Sequence, residues 1–179
     1  MYKLRTLFLV VGLLLGLSAP ALAQDTPKWD VSGGYSFLRD SEENLHGWLF
    51  SYTGNLNDVF GITGEVGGNY STQQVFGTDI DLSVHAYMVG PRFHSRQNAK
   101  VTPFGQVLFG AARAAASVLG ESDSETKFAI QYGGGADIWM RPNTGIRFGV
   151  DGRSIFIEDE TANEFRFNIG IVYSGGMIN

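Results

Sequence analysis

The sequence predicts an all-β fold, an eight-stranded antiparallel up-and-down transmembrane β-barrel, on three observations. Beyond residue 23 the apolar residues recur with a period of two rather than 3.6, which is the signature of strands. They do so in eight stretches, each with an apolar and a polar face and each bounded by turn-forming residues. No apolar run in this region reaches the roughly 18 residues that a membrane-crossing helix needs. An even number of two-faced strands suits a closed membrane barrel, in which lipid takes one face and the lumen the other.

Composition agrees with this class. Among 179 residues there are 24 Gly, and only 17% of residues are charged, below the roughly 25% usual for soluble domains. There is no Cys, which excludes disulfides, thiol nucleophiles, Cys-based metal sites and a Cys-linked lipid anchor. Residues 1–23 read as a signal peptide. Lys3 and Arg5 open it, an apolar run from Leu7 to Leu17 follows, and Ala21-Leu-Ala23 is a small-x-small cleavage pattern. Cleavage after Ala23 leaves a barrel domain at 24–179. Removing Lys3 and Arg5 lowers the basic count from 13 to 11 against 18 acids, a formal charge of −7. An acidic chain without basic clusters excludes nucleic acid as a partner.

In the first strand Trp29, Val31, Tyr35 and Phe37 oppose Asp30, Ser32 and Ser36. The second places Trp48, Phe50 and Tyr52 against Ser51, Thr53 and Asn55, and ends in an Asn/Asp turn at 55–58. The third sets Phe60, Ile62, Val66 and Tyr70 against Thr63, Glu65 and Asn69; a polar loop is expected at 71–78. The fourth, at 79–93, alternates most regularly, with Ile80, Leu82, Val84, Ala86 and Met88 on the apolar side and Asp81, Ser83, His85 and Tyr87 on the polar side. Gly90-Pro91 predicts a bulge or the end of pairing there, because Pro cannot donate to the ladder. The shifted phase turns Arg92 inward and Phe93 outward.

The fifth strand, Val101–Val118, is the least regular: Phe104 and Leu108 fall on its polar side, and its Ala-rich tail has helical character. An acidic loop is expected at 120–127. The sixth opposes Phe128, Ile130, Tyr132 and Ile138 to Gln131 and Asp137. The seventh opposes Ile146, Phe148 and Val150 to Arg147, Asp151 and Arg153. After an acidic loop at 158–163, the eighth opposes Phe165, Phe167, Ile169, Ile171 and Tyr173 to Glu164, Arg166 and Asn168.

Period alone shows two faces without saying which is inward, so a soluble lipocalin-like ligand-binding barrel shares the pattern. The export signal, the few charges within strands, and aromatics at strand ends favour the membrane barrel. Trp29, Tyr35, Trp48, Tyr52 and Tyr70 suit interfacial girdles. Ile80, Leu82, Val84, Ile130, Phe148, Phe167 and Ile169 are then expected to face lipid. Glu65, Asp81, His85, Gln131, Asp137, Arg147, Asp151, Arg153 and Arg166 are expected to form a polar network in the lumen. Long links after odd-numbered strands and short ones after even-numbered strands put the N-terminus on the periplasmic side.

The stretches Gly33-Gly-Tyr-Ser-Phe-Leu-Arg39, Val89-Gly-Pro-Arg-Phe93, Val101-Thr-Pro-Phe-Gly-Gln-Val-Leu-Phe-Gly-Ala111 and Gly133-Gly-Gly-Ala-Asp137 resemble small outer membrane β-barrel proteins of the OmpA/OmpX-like, porin-family kind. The resemblance runs through the mature chain and implies the outer membrane of a Gram-negative bacterium. The partners it implies are outer membrane lipid and the outer membrane assembly machinery.

The functional expectation is a non-enzymatic, monomeric barrel with a structural or surface-interaction role and no cofactor; the alternative is a small channel. A bore this narrow is filled by side chains, so the charged lumen set reads as a plug of ion pairs, with a narrow ion path as the competing reading. His85 lacks a neighbouring His or Cys at ligand spacing and reads as a hydrogen-bonded histidine, not a metal ligand. A lipid-modifying enzyme would need a Ser or His nucleophile pair at the rim; His94 and Ser95 are adjacent, so in a strand they point apart. The acidic stretches 41–43, 121–125 and 158–160 read as solvated surface, with an unknown surface ligand as the alternative. Gly133-Gly-Gly135 lies within a strand and reads as a packing device, not a phosphate loop.

Overall fold

The computed structural model describes residues 26–39, 44–75, 78–118, 121–157 and 160–178. The expected signal peptide and the acidic residues 41–43 and 158–159 lie outside this set, as do the side chains of 73–80, 118–122 and 160. Eight strands run in chain order: β1 (Trp29–Arg39), β2 (Asn44–Asn55), β3 (Phe60–Val75), β4 (Thr78–His94), β5 (Val101–Val118), β6 (Glu121–Arg141), β7 (Thr144–Ile157) and β8 (Glu160–Gly175). Each pairs antiparallel with the next, and β1 closes the sheet on β8 from Trp29↔Gly175 to Arg39↔Phe165.

Alternation settles which face is inward. Phe148, Phe167 and Ile169 are 43–47% exposed on the outside, whereas Glu65, Gln131, Asp151 and Arg166 are buried inside. This polar-in, apolar-out arrangement is the reverse of a soluble ligand-binding barrel. Trp29 packs on Tyr173 at the end that carries both termini, with ring centroids 5.9 Å apart. Gly135 earns its place by close approach: a Cβ there would run into the Phe148 carbonyl oxygen and, at 2.9 Å, the Phe104 ring.

The structure departs from the expected elements in three places. The expected loops at 71–78 and 120–127 are mostly strand. Thr72 pairs with Asp81 and Glu125 with Ala114, so both hairpins continue as paired ribbon beyond the apolar band. In water a polar strand loses nothing by pairing, and the missing apolar alternation concealed it. The Ala-rich tail of β5 is strand as well, held by ladders on both sides.

β4–β5 pairing lapses at Gly90 and Pro91, between Val89↔Phe109 and Arg92↔Gln106, but no register shift accompanies the gap. β3–β4 pairing runs unbroken from Phe60↔Phe93 to Val75↔Thr78, and the register shift lies instead between Trp139 and Arg141.

The third departure concerns β4, whose faces are opposite to those expected. Ala86, Met88, Arg92 and His94 are all buried inward, while Tyr87, Val89 and Phe93 are more than half exposed outward. Leu82 and Val84 share the inward parity and are half-buried; the Ile80 backbone shares it too, with its side chain outside the described set. Asp81 and His85 therefore belong to the outer surface, not the lumen. Arg92 and Phe93 face as expected, but through one unbroken phase and not through a bulge. The single-cysteine variants Tyr87→Cys and Met88→Cys of this Cys-free chain test the inversion in lipid vesicles. A membrane-soluble maleimide is expected to modify the Tyr87→Cys barrel quickly and the Met88→Cys barrel slowly; the reverse order would restore the face read from sequence.

Candidate functional site

Among the described residues the lumen holds most of the charged side chains that bond one another. Alternation aims every second residue of eight strands into a narrow bore, so groups far apart in sequence meet across it. Near the terminal end, Arg147 on β7 grips Asp137 on β6 with two bonds, Nε to Oδ1 at 2.7 Å and Nη2 to Oδ2 at 2.8 Å. The same guanidinium reaches Asp30 on β1 at 3.0 Å and donates to Ser32 and Ser51 at 3.1 and 3.2 Å. Arg92 on β4 donates to Gln106 on β5 and to Thr53 on β2, at 2.6 to 3.0 Å. The Phe104 ring lies between the two cations, 4.6 Å from the Arg92 Cζ and 4.9 Å from that of Arg147. Its quadrupole eases two like charges brought close together.

The network continues along the bore. Gln106 donates to Asp151 at 3.1 Å, and Asp151 accepts from Arg166 at 2.9 Å and Asn168 at 3.1 Å. Arg166 on β8 crosses to Glu65 on β3 at 2.6 Å, where Gln131 on β6 also donates at 2.8 Å. Arg153 then bonds the Gln131 amide oxygen and closes on Glu164 at 2.9 Å. Asp30, 3.8 Å from the Arg92 guanidinium, joins the two stretches, so one web of carboxylates, guanidiniums and amides runs from Asp137 to Glu164. Beside its upper part the filling changes character. Ala86, Met88, Leu108, Ala112 and Ala129 form a buried apolar cluster on β4, β5 and β6, with Met88 opposite Glu65 and Leu108 opposite Gln131 in the sheet.

A charge held in so dry a space is tolerable only when paired, and a guanidinium with its five fixed donors can bond several walls at once. What this arrangement does chemically is bond opposite walls of the barrel to one another across the bore. Among the described residues no group of three His, Asp or Glu side chains is placed to hold a metal ion. His94 is buried inside the barrel and Ser95 is exposed, so the two do not form a nucleophile pair.

A family model described as "Outer membrane protein beta-barrel domain" matches residues 9–174. The chain belongs to that family. Solved structures show the same fold. Ail, the attachment invasion locus protein of Yersinia pestis, is 22% identical, with 81% of this chain and 97% of that chain covered at a TM-score of 0.55. Neisserial surface protein A is 13% identical, with 81% and 94% covered at 0.61. The N-terminal barrel domain of Pseudomonas aeruginosa OprF is 12% identical, with 84% and 99% covered at 0.57. No curated protein matches.

In this outer membrane barrel Glu65, Gln131, Asp137, Arg147, Asp151, Arg153 and Arg166 meet in the lumen web. Asp81 does not join them. It is exposed on the outer surface and accepts a bond from Thr72 at 2.8 Å. His85 is also outside, where its Nε2 lies 3.1 Å from the Tyr70 hydroxyl. Ile130, Phe148, Phe167 and Ile169 face outward, as do Tyr35, Trp48, Tyr52 and Tyr70.

The sequence reading missed Asp30, Arg92, Gln106 and Glu164 as members of the web. Asp30 and Glu164 lie on polar parities of regular strands and were within reach of the same logic. Arg92 was turned inward by the sequence reading but not joined to the set, and Gln106 was hidden because β5 carries Phe104 and Leu108 inward beside it. The web's integrity can be measured. Arg147→Met leaves Asp137 and Asp30 buried without their shared cation, a loss of about 3–5 kcal/mol. Urea unfolding of vesicle-inserted protein is expected to show that loss, whereas a change below about 0.5 kcal/mol would mean the carboxylates are not held by Arg147.

Proposed function

We propose that this protein is a non-enzymatic outer membrane barrel with a structural or surface-interaction role, whose lumen is closed and whose business is conducted at its outer face. The observation that carries the reading is the unbroken lumen web. Arg147 ties β7 to β1, β2 and β6, and Arg166 ties β8 to β3 and β7. An ion following the bore would have to break several charge-assisted bonds, each worth roughly 1.5–3 kcal/mol.

On this reading the end with both termini faces the periplasm. The polar ribbon formed by the far ends of β3 to β8 stands on the cell surface, where acidic residues such as Asp123 and Glu125 are exposed. Outer membrane lipid and the assembly machinery are its partners, the barrel is a monomer, and no cofactor is involved. A small channel is the competing reading, and planar bilayers decide between them. Purified barrel is expected to give no steady single-channel current, while the double variant Glu65→Ala/Arg166→Ala, which opens the web where it crosses the bore, is expected to give current steps. Steady conductance by the unaltered protein would overturn the closed-lumen reading.

A further inference from the structure

The outer surface of β2, β3 and β4 carries a second polar constellation, outside the lumen. Trp48, Tyr70 and His85 come from three neighbouring strands, and their polar tips converge over Gly68. The Trp48 indole Nε1 donates to the Tyr70 hydroxyl at 3.4 Å, and that hydroxyl lies 3.1 Å from His85 Nε2. Gly68 leaves the room they occupy. A Cβ there would stand 2.8 Å from the Tyr70 hydroxyl and 3.1 Å from both Trp48 Nε1 and the His85 ring. On the other side of His85, its register partner on β5 is Arg113, exposed on the same outer face. Beside Trp48 on β1, Tyr35 bonds His46.

Height places this patch at the headgroups. Tyr70 is ten residues along β3 from Phe60, and His85 nine along β4 from His94. At a rise of about 3.3 Å per residue and a tilt near 40°, both stand roughly 25 Å above the terminal end, the height of a barrel's apolar band. Indole, phenol and imidazole tips joined to one another at that level, with a guanidinium alongside, are poor company for acyl chains. Their sign is also defined. The indole N–H is already given to Tyr70, so the donors left for a ligand are those of Arg113 beyond the one that Nη2 gives to Ser124 at 3.0 Å, and the nearest acid on β4, Asp81, is engaged by Thr72. Donors beside a cation select an anion and reject a quaternary ammonium, which an aromatic cage without Arg113 would accept.

We propose that Trp48, Tyr70, His85 and Arg113 form a binding site on the outer rim of the barrel for the phosphate headgroup of a membrane lipid. The proposal rests on the membrane placement given above, not on the closed lumen. Gly68 gives the three tips the room to meet, and the aromatic rings support the first segments of the acyl chains beneath the phosphate.

The test is native mass spectrometry of the full barrel released from a neutral detergent. Phosphatidic acid, a diacylglycerol of the same chains, and inorganic phosphate serve as the probes. The unaltered barrel is expected to retain one phosphatidic acid about tenfold better than diacylglycerol, since a hydrogen bond to a charged group is worth at least ~1.4 kcal/mol. Tyr70→Phe removes the central hydroxyl and Gly68→Ala displaces all three tips; both are expected to abolish the preference. Tyr52→Phe, lower on the same wall, should keep it. Heat-modifiable migration on detergent gels, checked for every variant, separates loss of the site from loss of the barrel. Equal retention of diacylglycerol would reduce the patch to an apolar girdle. Retention untouched by Tyr70→Phe would put the phosphate elsewhere, and displacement by equimolar inorganic phosphate would make it a site for a soluble anion; each overturns the proposal.

Discussion

Hydrocarbon offers no partner to a backbone N–H or C=O, so a strand that enters a membrane must have both edges paired. In this chain that requirement is met by the seam between the first and last strands. β1 pairs along its whole length with β2 on one edge and with β8 on the other. Closure on eight strands sets the bore, which is about wide enough for side chains to meet across it. The remaining features are responses to those two facts. The outer face takes the aromatic and aliphatic side chains that lipid accepts, and the inner face must be filled with whatever can satisfy itself.

Filling is achieved in two ways. Most of the bore is electrostatic, with Asp30, Glu65, Asp137, Asp151 and Glu164 matched against Arg92, Arg147, Arg153 and Arg166. On the β4–β6 side it is apolar, where Met88 and Leu108 pack among alanines. Buried ion pairs add little net stability, since desolvation offsets most of their attraction. What they do supply is a heavy penalty for any arrangement that separates partners. The web thus acts on register. A one-residue slip of β7 would carry Arg147, Asp151 and Arg153 to the lipid side together.

The outer face is not uniform either. Phe148, Phe167 and Ile169 form an apolar wall on β7 and β8, whereas β2 to β5 bring indole, phenol, imidazole and guanidinium groups together near the far rim. The inversion of β4 links the two sides of the sheet. Its inward parity gives Ala86 and Met88 to the lumen plug, and its outward parity therefore gives His85 to the rim. A strand read as lipid-facing aliphatic turns out to deliver a polar residue, His85, to the outer face.

The number of strands, their antiparallel order and the faces of β1 to β3 and β6 to β8 were legible in the sequence. Period-two alternation is a local property that survives without knowledge of any neighbour. The polar members Glu65, Asp137, Arg147, Asp151 and Arg166 were legible for the same reason. Three things were decided only in three dimensions. A two-faced strand carries no mark of which face is inward, so β4 took its orientation from its pairing with β3 and β5. Polar ribbon looks like loop until a partner strand is seen beside it, as at Thr72 and Asp81. And the contacts that close the lumen join residues such as Glu65 and Arg166, 101 positions apart, which meet only because closure brings opposite walls within reach of a guanidinium. The sequence by itself determined the barrel and its two chemistries; tertiary structure decided which side each strand offered and which charges faced each other. Alternation is written along the chain, whereas a bore exists only after the chain has closed.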